Sequence, residues 1–302
     1  MKIGALLPLN DLDGPDGSRW PAIRSLAVSA EQAGLDSLWV YDHLLFRMPG
    51  EDEAGPHEPL AMLAAVAAVT SRVELGTIVL GTGFRSPGIT AKMAAAIDEV
   101  ADGRLILGLG AGWHEPEYAA FGYPYDHRVG RFEEFLAVAL PLLRGERVTL
   151  RGQWHEAEDA VLLPPSPRGS RLPGRMPILI AGKGERMLRL AARHADAWNA
   201  AWFGLPTERF QQRRADLVRA CEAERRDPAT IEVTVGLTID ADAPAEGRPM
   251  AENALPADVD AVARALDAWR DLGVSHVQVD LRPTTTLLLD LLAAAAARHR
   301  GG

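Results

Sequence analysis

One cysteine, Cys221, in 302 residues excludes an internal disulfide, and its setting RRADLVRACEAERRD reads as a charged helix surface. No stretch approaches the roughly 18 uninterrupted apolar residues of a membrane span. Basic runs are missing too: 32 Lys and Arg stand against 41 Asp and Glu, a net charge of -9, which gives nucleic acids and anionic membranes nothing to bind. MKIGALLPLNDLDG has no small-residue cleavage site and meets charge at once, so a cytoplasmic protein is expected. Neither H-E-x-x-H nor a Cys/His ligand set occurs, so no metal is expected, and the absence of G-x-S-x-G leaves a serine hydrolase unsupported.

What the chain does have is eight short runs rich in Val, Ile and Leu, at residues 2–9, 37–43, 73–80, 104–112, 177–184, 196–202, 231–239 and 276–283. Helical patterns such as WPAIRSLAVSAEQAGL, EPLAMLAAVAAVTSR and ADVDAVARALDAWRDLG lie between them. The runs are apolar nearly throughout, as parallel strands covered on both faces require. Strand then helix, eight times, predicts an α/β fold, a (β/α)8 TIM barrel over residues 1–302 as one domain; periodicity alone leaves a doubly wound sheet open. Residues 113–176 form an insertion between strands 4 and 5, with a helix expected over about 130–144, a hairpin around VTLRGQWHEAEDAVLLP, then the Pro-rich PPSPRGSRLPGRMP. ADAPAEGRPMAENALP, after the seventh run, reads as a flexible loop.

LILGLGAGW, at the end of the fourth run, resembles a dinucleotide-binding fingerprint but fails it, because Trp113 stands where the last glycine is needed. The following HEPEYAAFGYPYDH is interrupted by two prolines and a glycine, so no helix is expected to open there. AGKG (181–184) does precede a helix, where backbone N–H groups can meet an anion, although a plain strand-to-helix turn explains it equally. Both stretches would lie side by side at the C-terminal mouth of a barrel, a place for a cofactor cleft.

The second run ends in Tyr41-Asp42-His43. His43 can relay a proton near neutral pH, with Asp42 fixing its tautomer or binding a ligand; a packed turn histidine is the alternative. Trp113 and Trp202, at strand ends, are candidates to cover a cofactor or substrate, whereas burial alone explains most other aromatics.

SLWVYDH and the block from Val73 to Leu136 resemble the luciferase-like monooxygenase superfamily, and the likeness extends over nearly the whole chain. The resemblance implies a barrel binding a flavin or the deazaflavin coenzyme F420 at its C-terminal mouth, commonly as a homodimer. Thr77, Ile78 and Val79 match a cofactor-backing bulge with a non-prolyl cis peptide at Ile78–Val79. Gly110, Ala111, Gly112 and Trp113 match the strand end along the cofactor, and Gly182, Lys183 and Gly184 the phosphate loop. His43 matches the reactive face and Asp42 a cofactor-side neighbour; apart from the resemblance, Phe46, Trp202 and Phe203, at strand ends and in adjoining loops, are expected to shape the substrate pocket.

Flavin-using relatives often carry an arginine near the place of Ala111, so the missing cation favours F420 over FMN. An F420-dependent oxidoreductase acting on a small-molecule substrate is therefore expected. The alternatives are an FMN-dependent monooxygenase fed by a separate flavin reductase, and a non-catalytic flavin binder. Trp113 replaces a glutamate of the family's sugar-phosphate dehydrogenases, which argues against activity on glucose 6-phosphate.

Overall fold

The computed structural model describes residues 1–10, 18–50, 52–168, 174–242 and 254–301. All eight apolar runs contain strands. In chain order the elements are β1 (Lys2–Leu6), α1 (Trp20–Gln32), β2 (Ser37–Val40), α2 (Pro59–Ala67), β3 (Glu74–Thr77), β4 (Leu80–Gly81), α3 (Pro87–Val100) and β5 (Leu105–Gly110). The insertion contributes α4 (Glu115–Phe121), α5 (Arg128–Leu143), β6 (Val148–Arg151) and β7 (Glu156–Ala160). Then follow β8 (Ile178–Ala181), α6 (Glu185–His194), β9 (Ala197–Phe203), α7 (Glu208–Ala223), β10 (Glu232–Asp240), β11 (Leu255–Pro256), α8 (Val259–Asp271), β12 (His276–Arg282) and α9 (Thr286–Gly301).

Parallel pairing runs β1–β2–β3–β5–β8–β9–β10–β12, and β12 pairs again with β1. The sheet is closed, which selects the (β/α)8 barrel over the open alternative. β6 and β7 form the expected antiparallel hairpin, with Arg151 opposite Glu156. Residues 169–173 and 243–253, in the Pro-rich stretch and the second excursion, lie outside the described residues; Leu255 closes that excursion by pairing with Ile239. No helix among the described residues is long and apolar enough to cross a membrane.

Two local expectations are corrected. HEPEYAAFGYPYDH does contain a helix, α4, because Pro116 sits in its first turn, where no intrahelical N–H is needed. Gly122 then ends it at φ 74°, a left-handed cap. Cys221 lies buried in the core instead of on a helix surface, because α7 turns that stripe inward with Phe210 and Leu217.

Most of the core lies between barrel and helices, where outward strand residues such as Leu38, Leu75, Leu107 and Ile180 meet helix residues such as Ile23, Leu63 and Leu188. A second cluster, Leu6, Trp39, Ile78, Ile106, Leu179 and Ala197, fills the barrel itself. Trp39 dominates it: the indole takes the space a side chain at Gly76 would need, and burying it stabilises by roughly 4–6 kcal/mol. Its Nε1 donates to Ser37 Oγ at 2.7 Å, and that oxygen lies 2.7 Å from His276 Nε2. The barrel is thus plugged from below, which leaves the C-terminal ends of its strands as the place for a ligand.

Candidate functional site

Tyr41, Asp42 and His43 continue off the end of β2 at this mouth. Asp42 accepts from the Gly81 N–H at 2.9 Å and from Arg85 Nε and Nη2, both at 3.0 Å. Arg85 also reaches Glu58 at 2.9 Å. Burial works against the guanidinium charge, but the two carboxylates outweigh it and hold Arg85 above its ordinary value. Of the two roles expected for Asp42, fixing the tautomer of His43 is corrected: its carboxylate pins the segment after β3, and the partner of His43 is a different residue.

That partner is Glu117, in the first turn of α4. His43 Nδ1 lies 3.0 Å from Glu117 Oε1, while Oε2 accepts the N–H of Leu44 at 2.7 Å. Around the imidazole stand Phe46, with ring centroids 4.2 Å apart, and Trp113, edge-on at 5.6 Å. Phe46 is held by an antiparallel bridge to Ala54. His114 lies behind them and accepts the Arg47 N–H at 3.1 Å; burial lowers its pKa. The structure therefore brings Phe46 and Trp113 against His43 and adds Glu117 and His114. Glu117 was hidden in the sequence because its segment looked too broken to have a helix face.

One wall of the mouth runs from β3 to β8. The Ile78–Val79 peptide is cis, at the position the resemblance pointed to. Thr77 is buried and bonded within the sheet, its Oγ1 donating to Gly108 O at 2.8 Å and accepting the Gly108 N–H at 2.9 Å. Its hydroxyl thus clamps β3 to β5. A β-carbon on Gly110 would stand 2.7 Å from Val79 Cγ2. The Ala111 carbonyl accepts from the Tyr118 hydroxyl at 3.2 Å, and Trp113 is 58 % exposed.

On the other side, β9 bulges. Ala200 and Ala201 together stand opposite Val235, and Ala201, at φ 80°, donates its N–H to Asn199 Oδ1 at 2.9 Å. The bulge lays the Trp202 ring over Gly236, where with Tyr41, Val79 and Ala181 it tops the inner cluster. Phe203 points the opposite way. It is 1 % exposed and packs on Phe210 and Trp269, so its assignment to a substrate pocket is corrected to a core role.

Next to β5, β8 ends in the turn Gly182-Lys183-Gly184. The Gly182 carbonyl accepts from Trp198 Nε1 at 3.0 Å, and Lys183 is exposed. Gly184, as N-cap of α6, supplies no side-chain cap to the first-turn N–H groups. Among the described residues no group of three or more His, Cys, Asp or Glu gathers to hold a metal ion.

A profile of the luciferase-like monooxygenase family matches residues 1–248. The chain is 39 % identical over 177 residues to an F420-dependent glucose-6-phosphate dehydrogenase of Beutenbergia cavernae, covering 57 % of this chain and 49 % of that protein. It is 34 % identical over 244 residues to a phthiodiolone/phenolphthiodiolone dimycocerosates ketoreductase of a Mycobacterium species, covering 71 % and 62 %. The chain thus spans about half to three-fifths of the length of these curated relatives. A solved F420-dependent secondary alcohol dehydrogenase, in complex with an F420-acetone adduct, superposes with a TM-score of 0.78 over 99 % of both chains; at 18 % identity it shares the fold.

Proposed function

Since the chain belongs to the luciferase-like monooxygenase family, we propose that it is an F420-dependent oxidoreductase acting on a small organic alcohol or carbonyl compound. The observation that carries this reading is the imidazole of His43 at the barrel mouth, flanked by Phe46 and Trp113. The F420-dependent relatives support the choice of cofactor, and Ala111, in place of a cation, supports the deazaflavin over FMN.

The residues at the mouth fit such a group. Val79, Gly110 and Ala181 make a low apolar ledge over the sealed barrel interior, against which a flat ring can lie. Lys183 and the uncapped N–H groups behind Gly184 would hold its phosphate. When bound, F420 supplies the hydride donor or acceptor. His43 then holds or takes up the proton of the substrate oxygen, while Trp113 and Trp202 limit water at the reacting carbon. On this reading the chain works as a single-domain homodimer in the cytoplasm.

The test is titration of the purified protein with F420 and with FMN, followed by fluorescence. Tight binding of F420 and weak binding of FMN is the expected result. Tight FMN binding with none for F420 would overturn the proposal in favour of a flavin-dependent monooxygenase.

A further inference from the structure

The imidazole of His43 is held on three sides: by Glu117 at Nδ1, by the Phe46 ring over its face and by the Trp113 indole at its edge. Glu117 is itself fixed, 1 % exposed and bonded to the Leu44 N–H. A carboxylate in its ionised form accepts hydrogen bonds and donates none, and such a partner in the 3.0 Å contact calls for the proton on Nδ1. A neutral ring with its proton on Nδ1 carries a free lone pair on Nε2. Turning the ring over would put a carbon against Glu117 and forfeit a charge-assisted bond in a buried setting.

We propose that Glu117 is the positioning residue of this site: it selects the Nδ1–H tautomer of His43, so that Nε2 meets the substrate as proton acceptor. This rests on the reading of His43 as the group that exchanges the substrate proton. With an alcohol, the hydroxyl proton passes to Nε2, the C–H electron pair leaves as hydride to oxidised F420, and the C=O bond forms. In the opposite direction the imidazolium returns that proton to the oxygen as hydride arrives at carbon. Glu117 touches neither substrate nor cofactor in this scheme; it acts through His43, as an orienting carboxylate does behind any general-base histidine.

The experiment uses protein labelled with 15N-histidine at pH 8, above the ordinary histidine range, and long-range 1H–15N correlation, with His43→Asn to identify the signal. The wild-type protein is expected to hold the proton on Nδ1 in at least about tenfold excess, as a hydrogen bond to a charged acceptor warrants. Glu117→Gln is expected to lose that excess. A wild-type spectrum dominated by Nε2–H overturns the proposal, as does an unchanged tautomer in Glu117→Gln. If that variant fails to fold, the wild-type spectrum decides alone. The measurement needs neither cofactor nor substrate, so it can fail while the functional reading stands. That reading fails separately if F420-dependent turnover survives His43→Asn.

Discussion

Gly112 and Tyr118 share one space: a β-carbon at Gly112 would overlap the Tyr118 hydroxyl oxygen. Gly112 also sits at φ 78°, where an L side chain is strained. Glycine is thus required by the protein's own packing, not only by a ligand's approach. Gly112→Ala is expected to lower stability by roughly 2–5 kcal/mol, combining overpacking and left-handed strain. Urea denaturation checks this; a loss under about 0.5 kcal/mol would return the glycine to a ligand-only role.

Much of this architecture is legible in the sequence for a simple reason. Strands such as Ser37–Val40 and Leu105–Gly110 are buried along their whole length, so their apolar runs stand out without any alternation. The site is less legible where it depends on pairs distant in sequence or on single irregularities. Nothing in Tyr41-Asp42-His43 says that Asp42 will find Arg85, 43 positions on, and leave His43 to Glu117. Trp202 and Phe203 are neighbours on one strand, so they must face opposite sides, and the bulge at Ala201 decides which one turns inward.

Removing one member of the Asp42–Arg85 pair leaves a poorly compensated charge, since both side chains are largely buried. Asp42→Asn is expected to lower stability by about 3 kcal/mol. Glu58 stays beside Arg85 and limits the loss. Adding Arg85→Met should recover part of it, and the double-mutant cycle is expected to give a coupling of about 1 kcal/mol or more. Strict additivity in chemical denaturation would show that the pair does not hold this segment.

The opposite orientations of Trp202 and Phe203 predict opposite phenotypes. Phe203→Ala opens a cavity beside Phe210 and Trp269 and is expected to cost about 4 kcal/mol of stability. Trp202→Ala, at the half-buried top of the barrel interior, is expected to cost less than about 2 kcal/mol and to weaken F420 binding instead. Denaturation curves with parallel F420 titrations separate the two, and equal destabilisation without any binding defect would contradict the inward placement of Trp202.

His276 makes stability depend on acid. Burial first, and then the charge of Lys2, push its pKa from 6.5 down to about 3, so the folded protein keeps the ring neutral against Ser37. The unfolded chain protonates it near 6.5, so between that pH and about 3 the unfolded state binds the extra proton. Stability from this residue is therefore complete above pH 6.5 and falls as the pH drops, by about 1.4 kcal/mol per pH unit across the window. His276→Gln keeps a polar partner for Ser37 but has no proton to gain. Its unfolding free energy between pH 6 and pH 4 is expected to fall less steeply than that of the wild type, by about that slope. Urea unfolding at several pH values gives both curves, and parallel curves would mean that the acid sensitivity lies in other groups.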